Sequence, residues 1–304
     1  MKKEHRQLQY EKATGKIQIT LTNDMLLHFA MQKSKVALKG LVCALKGLDP
    51  ADVSGVELMN PIDYNDVGKR VVLDVKVTLN NNEIMNIELQ MYYDSDWIKR
   101  SILYLCRAYD SIGDGEDYSL LKPTTHIGIM GYDLFPESPE FYAKYLLSNI
   151  RTHAVYSPIF GINVLSLNRI DLATAADKKS GLDYWARFFL ATTWEEVKAL
   201  ARDREALQAV AETMYDVNAD AKKRALFEAR RKYREIMTTT KNKLARLEAQ
   251  VEEYRQENDQ YRQENDQYRQ ENDQYRQEND QYRQEIDQYR QRITELETQL
   301  AAKK

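Results

Sequence analysis

Two short segments in the first third of the chain alternate apolar and polar residues. Residues 71–77 are apolar except at two positions, and residues 86–90 place polar side chains at every second position. Such alternation is typical of β-strands, in which successive side chains project to opposite faces. The linker 78–83 contains three consecutive asparagines, which favour a turn. The pattern therefore predicts a β-hairpin.

The polar residues of this hairpin are candidates for chemistry. Its folding can bring Asp74 beside Glu88 and Gln90, which project to the same face of their strand. Two carboxylates in an apolar setting repel each other unless a cation lies between them. Hard oxygen ligands of this kind suit Mg²⁺ or Mn²⁺. In the alternative interpretation, Asp74 forms a surface ion pair with Lys76, which shares its face.

Helices are predicted on both sides of the hairpin. The first begins near Asp24, capped by Thr22 or Asn23, and the second spans 34–45 and ends at Gly47. Asp24 either stabilises the first turn of its helix or supplies a further acid to the site. Further helices are predicted at 95–112, 182–191 and 195–214, and further strands at 56–59, 125–131 and 162–167. Early strands with local hairpins, followed by helices, favour an α+β or mixed α/β fold over a doubly wound parallel sheet.

Two groups of basic residues are candidates for contacts with DNA. Arg100, on the predicted helix 95–112, can reach a phosphate because a guanidinium group binds phosphate in a bidentate manner. A denser cluster at 222–234 has Phe227 and Tyr233 interleaved, as is typical of nucleic-acid contacts. The candidate DNA-binding residues are Lys99, Arg100, Lys222, Lys223, Arg224, Arg230 and Arg231. Both groups are also compatible with ordinary solvated helix faces.

The last fifth of the chain is built on a seven-residue repeat. The sequence Tyr-Arg-Gln-Glu-Asn-Asp-Gln recurs identically from Tyr254, and this period is the signature of a left-handed coiled coil. Flanking apolar residues set the frame, with tyrosine at d and asparagine at a. Asparagine at a favours a two-stranded parallel dimer, whereas i,i+4 ion pairs would support a single helix. The predicted dimer contacts are Val251, Tyr254, Asn258, Tyr261, Asn265, Tyr268, Asn272, Tyr275, Asn279, Tyr282, Ile286, Ile293 and Leu296.

Composition separates this tail from the rest of the chain. Residues 1–240 carry 32 Lys+Arg and 32 Asp+Glu, whereas residues 241–304 carry 12 and 15, which accounts for the net charge of −3. DNA contact would therefore depend on a local basic patch rather than on a global field. Cys43 and Cys106 are expected to be core thiols, and the expected compartment is the cytoplasm. No segment is apolar enough for a membrane span, and four scattered histidines argue against a zinc cluster.

Four pieces of the segment from Leu21 to about Trp185 together resemble the Rpn family of recombination-promoting nucleases, which belongs to the PD-(D/E)xK superfamily. The pieces are residues 21–24 with the helix that follows, 72–75, 87–91 and the helix 97–109. The resemblance implies a restriction-endonuclease-like core, a mixed sheet flanked by helices, in which Asp74 and Glu88 bind a metal ion. The superfamily's usual lysine, two positions after the glutamate, is here Gln90, so the activating cation is missing from that position.

Two functions follow as hypotheses. In the first, the chain is a Mg²⁺- or Mn²⁺-dependent DNA endonuclease, linked to recombination or mobile elements and dimerised by its tail. Asp74, Glu88 and the Leu89 carbonyl would hold the ion. Gln90 would orient the attacking water, with Asp24 as a further acid. In the second hypothesis, the nuclease fold does no chemistry and serves as a scaffold or DNA-binding module. The predicted units are a polar arm (1–18), a nuclease-like domain (19–215), a basic helical connector (216–240) and the coiled coil (241–304).

Overall fold

A six-stranded mixed sheet lies within the first of two compact units. The computed structural model describes residues 9–60, 74–80, 82–113 and 115–301. The first unit extends to Thr240, and the second begins at Lys241. The first unit has the mixed α/β fold that the sequence predicts, and the second is helical.

The sheet has a parallel centre with antiparallel strands on both sides. Its strands are β1 (Val56–Leu58), β2 (Val75–Leu79), β3 (Glu83–Gln90), β4 (Thr124–Met130), β5 (Tyr142–Ser148) and β6 (Val155–Ser166). They lie in the order β1-β2-β3-β4-β6-β5. The pairs β1–β2, β2–β3 and β5–β6 are antiparallel, whereas β3–β4 and β4–β6 are parallel. The predicted hairpin is therefore present as β2–β3, although its residues 71–73 lie outside the described part of the chain.

Side-chain caps define where the first helices begin. The helices are α1 (Asp24–Lys33), α2 (Lys35–Lys46), α3 (Trp97–Tyr109), α4 (Ala175–Lys179), α5 (Leu182–Leu190), α6 (Trp194–Ala201), α7 (Glu205–Ala219) and α8 (Ala221–Ala301). Asn23 caps α1 by accepting a hydrogen bond from the Leu26 amide, and Ser34 caps α2 in the same way. Gly47 ends α2 in the left-handed conformation, with φ 72°.

The two faces of the sheet bury different kinds of side chain. Met85, Ile87 and Leu89 of β3 point into the main hydrophobic core, which also holds side chains of α1, α2, α5, α6 and α7. Asn86 and Glu88 alternate with them and project to the opposite face, where α3 contacts β3, β4 and β6. A small second core on that face consists of Trp97, Met130, Ala143 and Val164. The polar residues of β3 therefore lie beneath α3.

Some predicted elements differ from the observed ones. The predicted helix 195–214 is two helices, because Asp203 adopts a φ of 61° between α6 and α7. The last strand begins at Val155 rather than at 162, and its antiparallel partner β5 has no counterpart in the sequence prediction. β5 is an edge strand rich in Leu, Ala and Lys, which are good helix formers. Cys106 is exposed, so its prediction as a core thiol is wrong.

The second unit is the continuation of α8. From Arg246 to Thr298 every side chain is exposed. Ion pairs recur from an aspartate to the arginine three residues later, as between Asp259 and Arg262 at 3.9 Å, rather than at the predicted spacing of four. Within the described residues, none of the helices combines the length and apolarity needed to cross a bilayer.

Candidate active site

The β2–β3 hairpin places two acids side by side. The two strands pair in a register that puts Asp74, just outside β2, opposite Glu88. The Asp74 carbonyl accepts a hydrogen bond from Asn60 at 2.7 Å, which fixes the backbone at this point. Glu88 is only 2% exposed. The alternative partner Lys76 forms no ion pair with Asp74 within the described residues, so the geometry favours the acid pair.

Arg100 of α3 contacts three polar side chains of the site. Its Nη2 donates to Glu88 Oε1 at 2.5 Å and to Gln90 Oε1 at 2.9 Å. Its Nη1 donates to Asp94 Oδ2 at 2.5 Å. The neighbouring Lys99 instead has a side chain that is 87% exposed. Of the two candidate phosphate ligands on α3, only Arg100 lies in the acid cluster.

Gln90 is held at both ends of its amide. The oxygen accepts a hydrogen bond from Arg100, and Nε2 donates to the Tyr92 carbonyl at 2.6 Å. An amide nitrogen has two N–H groups, so one of them is available for water or phosphate. Leu89, between Glu88 and Gln90, buries its side chain in the main core on the other face of the sheet.

His126 of β4 is a further member of the site, and no sequence motif singles it out. Its Nε2 lies 3.7 Å from Glu88 Oε2, and Asn86 Nδ2 lies 3.1 Å from its Nδ1. Burial, together with the charge of Arg100, lowers the pKa of His126 to about 4, so the ring is neutral. Because an amide nitrogen can only donate, we assign the ring proton to Nε2. That proton lies on the side of the ring that faces Glu88.

An ion pair between α1 and α8 lies beside the hairpin. Asp24 Oδ2 accepts a hydrogen bond from Arg234 Nη1, and the Asp24 side chain is 8% exposed. Arg234 belongs to the basic cluster 222–234, where the sequence suggests contacts with DNA or a solvated helix face. The partners are 210 positions apart, and no local pattern joins residues at such a separation.

Burial and mutual repulsion disfavour ionisation of the acid pair. Burial raises the pKa of Asp74, against the opposing charges of Arg234 and Arg100. Burial and the charge of Asp74 raise the pKa of Glu88 to about 7, again against the two arginines. Glu88 Oε2 has no hydrogen-bond partner within the described residues. A cation beside the two carboxylates would favour their ionised forms and supply a partner for this oxygen.

Close packing beneath α3 fixes the position of Arg100. Gly128 of β4 pairs with Glu88, and the Trp97 ring fills the space above it. A Cβ at Gly128 would lie 2.3 Å from Cζ2 of Trp97, so a larger residue would displace the start of α3. The Trp97 amide also donates to the Asp94 carbonyl at 3.1 Å. The turn before α3 and the glycine below it therefore hold the helix against the site.

The summed charge of the cluster suits one divalent cation. The carboxylates belong to Asp24, Asp74, Glu88 and Asp94, and the guanidinium groups to Arg100 and Arg234. With neutral His126, the formal sum is about −2 when all four acids are ionised. Within the described residues, no group of three or more His, Cys, Asp or Glu side chains is placed to share a metal ion. An ion here would therefore need backbone or water oxygens besides the carboxylate pair.

The other predicted DNA-binding residues lie on the first turns of α8. Lys222 is exposed, Lys223 lies over the Phe29 ring, Arg224 donates to the Asn218 carbonyl, Arg230 lies over the Tyr233 ring, and Arg231 pairs with Glu228 at 2.7 Å. Arg231 and Glu235 also contact the hydroxyl of Tyr92, two residues after Gln90. This end of α8 therefore reaches the rim of the site.

The predicted dimer residues are exposed in the single chain. The five tyrosines among them are between 62% and 69% exposed, and the apolar residues Val251, Ile286, Ile293 and Leu296 are about half exposed. The a and d positions that the heptad frame defines are therefore exposed along the part of the tail that the structure describes.

Comparison with protein families gives a match over most of the chain. A model of the PD-(D/E)XK nuclease family transposases matches residues 27–243, which is more than two thirds of the chain. The matched region includes the sheet, α3 and the first turns of α8. Comparisons with curated proteins and with solved structures found no significant match.

Proposed function

Because the chain belongs to the PD-(D/E)XK nuclease family of transposases, we propose that it is a metal-dependent DNA endonuclease that hydrolyses phosphodiester bonds. The observation that carries this proposal is the pair of acids on the β2–β3 hairpin, in which Glu88 is buried and Asp74 is half-buried. Glu88 lies opposite Asp74 with one carboxylate oxygen lacking a hydrogen-bond partner among the described residues. Two such carboxylates are costly to bury unless a cation neutralises them.

The donor set suits a hard divalent cation. Asp74, Glu88 and the Leu89 carbonyl would hold Mg²⁺ or Mn²⁺, because both ions prefer oxygen ligands. When bound, the ion would supply Lewis-acid polarisation of the phosphodiester and activation of the attacking water. Asp24 contributes indirectly, since it pairs with Arg234 beside the hairpin.

Arg100 and Gln90 would act on the substrate. Arg100 carries a permanent charge and a planar fork of donors, which can offset negative charge that develops on the phosphate. Gln90 keeps one N–H group for the attacking water while Arg100 and Tyr92 hold the rest of its amide. The amide orients without adding charge, so a cation from another element must serve where the superfamily has lysine.

DNA is the substrate that the family membership favours, and the first turns of α8 offer basic residues near the site. Lys222, Lys223, Arg224, Arg230 and Arg231 would bind the phosphate backbone, with Lys99 as an exposed contact on α3. Contacts of this kind position DNA without reading its sequence. A role in recombination or in mobile elements is consistent with this family of transposases.

The tail would join two copies of the chain as a parallel coiled coil. The support is the exposed seam of tyrosine at d and asparagine at a, bounded by apolar residues such as Val251 and Ile293. A dimer of this kind brings two active sites to one DNA molecule. Paired cutting of both strands would follow from it.

A second function is favoured by one contact. Arg100 already neutralises Glu88 within the chain, at 2.5 Å, and the residue after Leu89 is a neutral glutamine. A fold with this arrangement could bind DNA as a scaffold without cutting it. This alternative predicts DNA binding that is independent of divalent cations.

Nicking of supercoiled plasmid by the purified full chain separates the two functions. We expect conversion to open-circular and linear DNA with Mg²⁺ or Mn²⁺, and none with a chelator. Asp74→Ala and Glu88→Ala should each lower the rate by at least about 100-fold. Glu57→Ala, which changes an exposed acid of β1, is the matched control and should cut at the parental rate. Full activity of Asp74→Ala or Glu88→Ala would contradict the assignment, and binding without cutting in either metal would favour the scaffold.

A further inference from the structure

Arg234 is fixed in position from two sides. Its guanidinium donates to Asp24, whose side chain is buried. The helix that carries it is held to the start of α1, where Asn23 Nδ2 donates to the Phe227 carbonyl at 3.0 Å. The Phe227 ring is itself buried and packs edge-on against Phe29, with 5.9 Å between the ring centroids. Arg234 is therefore part of a packed and hydrogen-bonded contact between α1 and α8. Its position is set within the chain and does not depend on a substrate.

The guanidinium also borders two β3 residues of the proposed site, Leu89 and Gln90. Arg234 lines a small cavity together with Asp24, Leu89 and Gln90, and the cavity volume is about 20 Å³. A volume of this size holds about one water molecule. The positive charge of Arg234 thus lines the same cavity as Leu89 and Gln90.

We infer that Arg234 is a positioning residue of this site, which, held by Asp24, supplies from α8 the fixed positive charge that the neutral side chain at position 90 does not provide. The inference rests on the proposed function, because it concerns how the acid cluster holds its cation. It adds a role for the basic segment 222–234 that is separate from contacts with the DNA backbone.

If Arg234 has this role, the direction of each change in Mn²⁺ affinity follows from the change in charge. Removing the charge in Arg234→Gln takes the formal sum of the cluster from about −2 to about −3, so Mn²⁺ should bind more tightly, on the order of tenfold. Asp24→Asn makes the sum about −1, so Mn²⁺ should bind more weakly by a similar factor. The double variant returns the sum to −2, and its Mn²⁺ affinity should lie near that of the parent. Arg234→Lys keeps the charge and should also stay near the parent.

A residue that merely held α8 in place would behave differently. Its loss would loosen the site, so Arg234→Gln would bind Mn²⁺ more weakly, and the added change Asp24→Asn could not restore the affinity. Tighter metal binding with slower cutting is therefore a signature that lost packing does not produce. In Arg234→Gln we expect plasmid nicking at saturating Mn²⁺ to fall by at least about tenfold, because the site loses the positive charge that stands in for the superfamily's lysine.

Calorimetric titration of the full chain with Mn²⁺ at pH 7.5 and 0.15 M salt tests the inference. Lys232→Gln is the matched control, since it removes one exposed charge from the same helix two residues away, and it should leave the affinity unchanged. Unchanged or weaker Mn²⁺ binding by Arg234→Gln would overturn the inference while leaving the proposed nuclease intact. No Mn²⁺ binding by the parent would overturn both. If Arg234→Gln does not fold, the comparison of Asp24→Asn with the double variant decides, because the inference requires the double variant to bind more tightly.

Discussion

Nη2 of Arg100 lies 2.5 Å from Glu88 Oε1, so the buried carboxylate has a counter-ion supplied by the helix that covers it. The same guanidinium reaches Asp94 through Nη1 at 2.5 Å. Both acid side chains are only 3% exposed. Arg100 is therefore positioned to stabilise the acids of the fold, and in the proposed function it would also bind a phosphate that enters the site.

Loss of Arg100 should destabilise the protein, because two buried carboxylates lose their partner. We expect Arg100→Gln to lower the free energy of unfolding by roughly 3 kcal/mol at pH 8, as measured by urea denaturation. The free energy of unfolding of Arg100→Lys should lie between those of the parent and Arg100→Gln, since a single ammonium group cannot replace the two contacts of the guanidinium group. Lys99→Gln, next to it but exposed, is the control and should be neutral. Addition of Mg²⁺ should recover more stability in Arg100→Gln than in the parent, and equal gains would argue against a cation site at Glu88.

Glu88 should make stability depend on pH in a defined direction. Its pKa is raised from 4.5 to about 7 in the folded chain, so the folded state holds this proton more tightly than the unfolded state. Ionisation therefore costs no stability below pH 4.5, costs progressively more up to pH 7, and costs the full amount above it. Glu88→Gln removes this cost, and we expect a gain on the order of 2 kcal/mol at pH 8 that disappears near pH 4.5.

Urea denaturation of Glu88→Gln and the parent at pH 8, 6 and 4.5, without divalent cations, measures this gain. Glu57→Gln, at an exposed position of β1, should show no such trend. A gain that grows as the pH falls would have the wrong sign and would mean that the folded chain favours the ionised carboxylate.

The β2–β3 hairpin could be predicted because its information is local. Asp74 interrupts an apolar segment, Glu88 and Gln90 alternate with apolar residues, and three asparagines mark the turn. Each signal lies within a few residues of the next, so strand alternation alone brings the acids together.

The rest of the site depends on contacts that no local pattern records. His126 meets Glu88 because β3 and β4 pair in parallel, and Arg234 meets Asp24 across 210 positions. The sequence patterns also do not predict the edge strand β5, because four of its seven residues are Ala, Lys or Leu, which are good helix formers. Sequence patterns therefore identify the acids, whereas tertiary packing decides which cations accompany them.

Position 90 should be sensitive to the loss of its amide. Gln90 accepts a hydrogen bond from Arg100 at 2.9 Å and donates one to the Tyr92 carbonyl at 2.6 Å. Gln90→Leu removes both contacts and the remaining N–H group, so we expect it to lose most of its plasmid-nicking activity. Gln90→Lys should retain part of the activity, because it restores a cation but places it beside Arg100. Initial rates at saturating Mg²⁺ decide, and equal rates for Gln90→Leu and the parent would exclude a catalytic part for this side chain.

The tail should determine the oligomeric state without affecting the fold of the first unit. The described residues of the second unit, 241–301, belong to the helix α8 and to none of the six strands, and Arg234 lies before them. A chain ending at Thr240 should therefore unfold at a similar urea concentration and still bind Mn²⁺, but it should be a monomer. Replacing Asn258, Asn265, Asn272 and Asn279 by isoleucine should raise the melting temperature of the tail, because apolar packing replaces amides at a, and should loosen the preference for two strands.

Sedimentation equilibrium of the full chain at about 10–50 μM measures this association. We expect a dimer for the parent, a monomer for the shortened chain, and species larger than a dimer for the isoleucine variant. The plasmid products should depend on the oligomeric state. The dimer should give linear DNA and the monomer mainly open circles, because only paired active sites reach both strands at once. A monomeric parent over this range would favour a single solvated helix, supported by ion pairs such as Asp259 to Arg262, and would remove the basis for paired cutting.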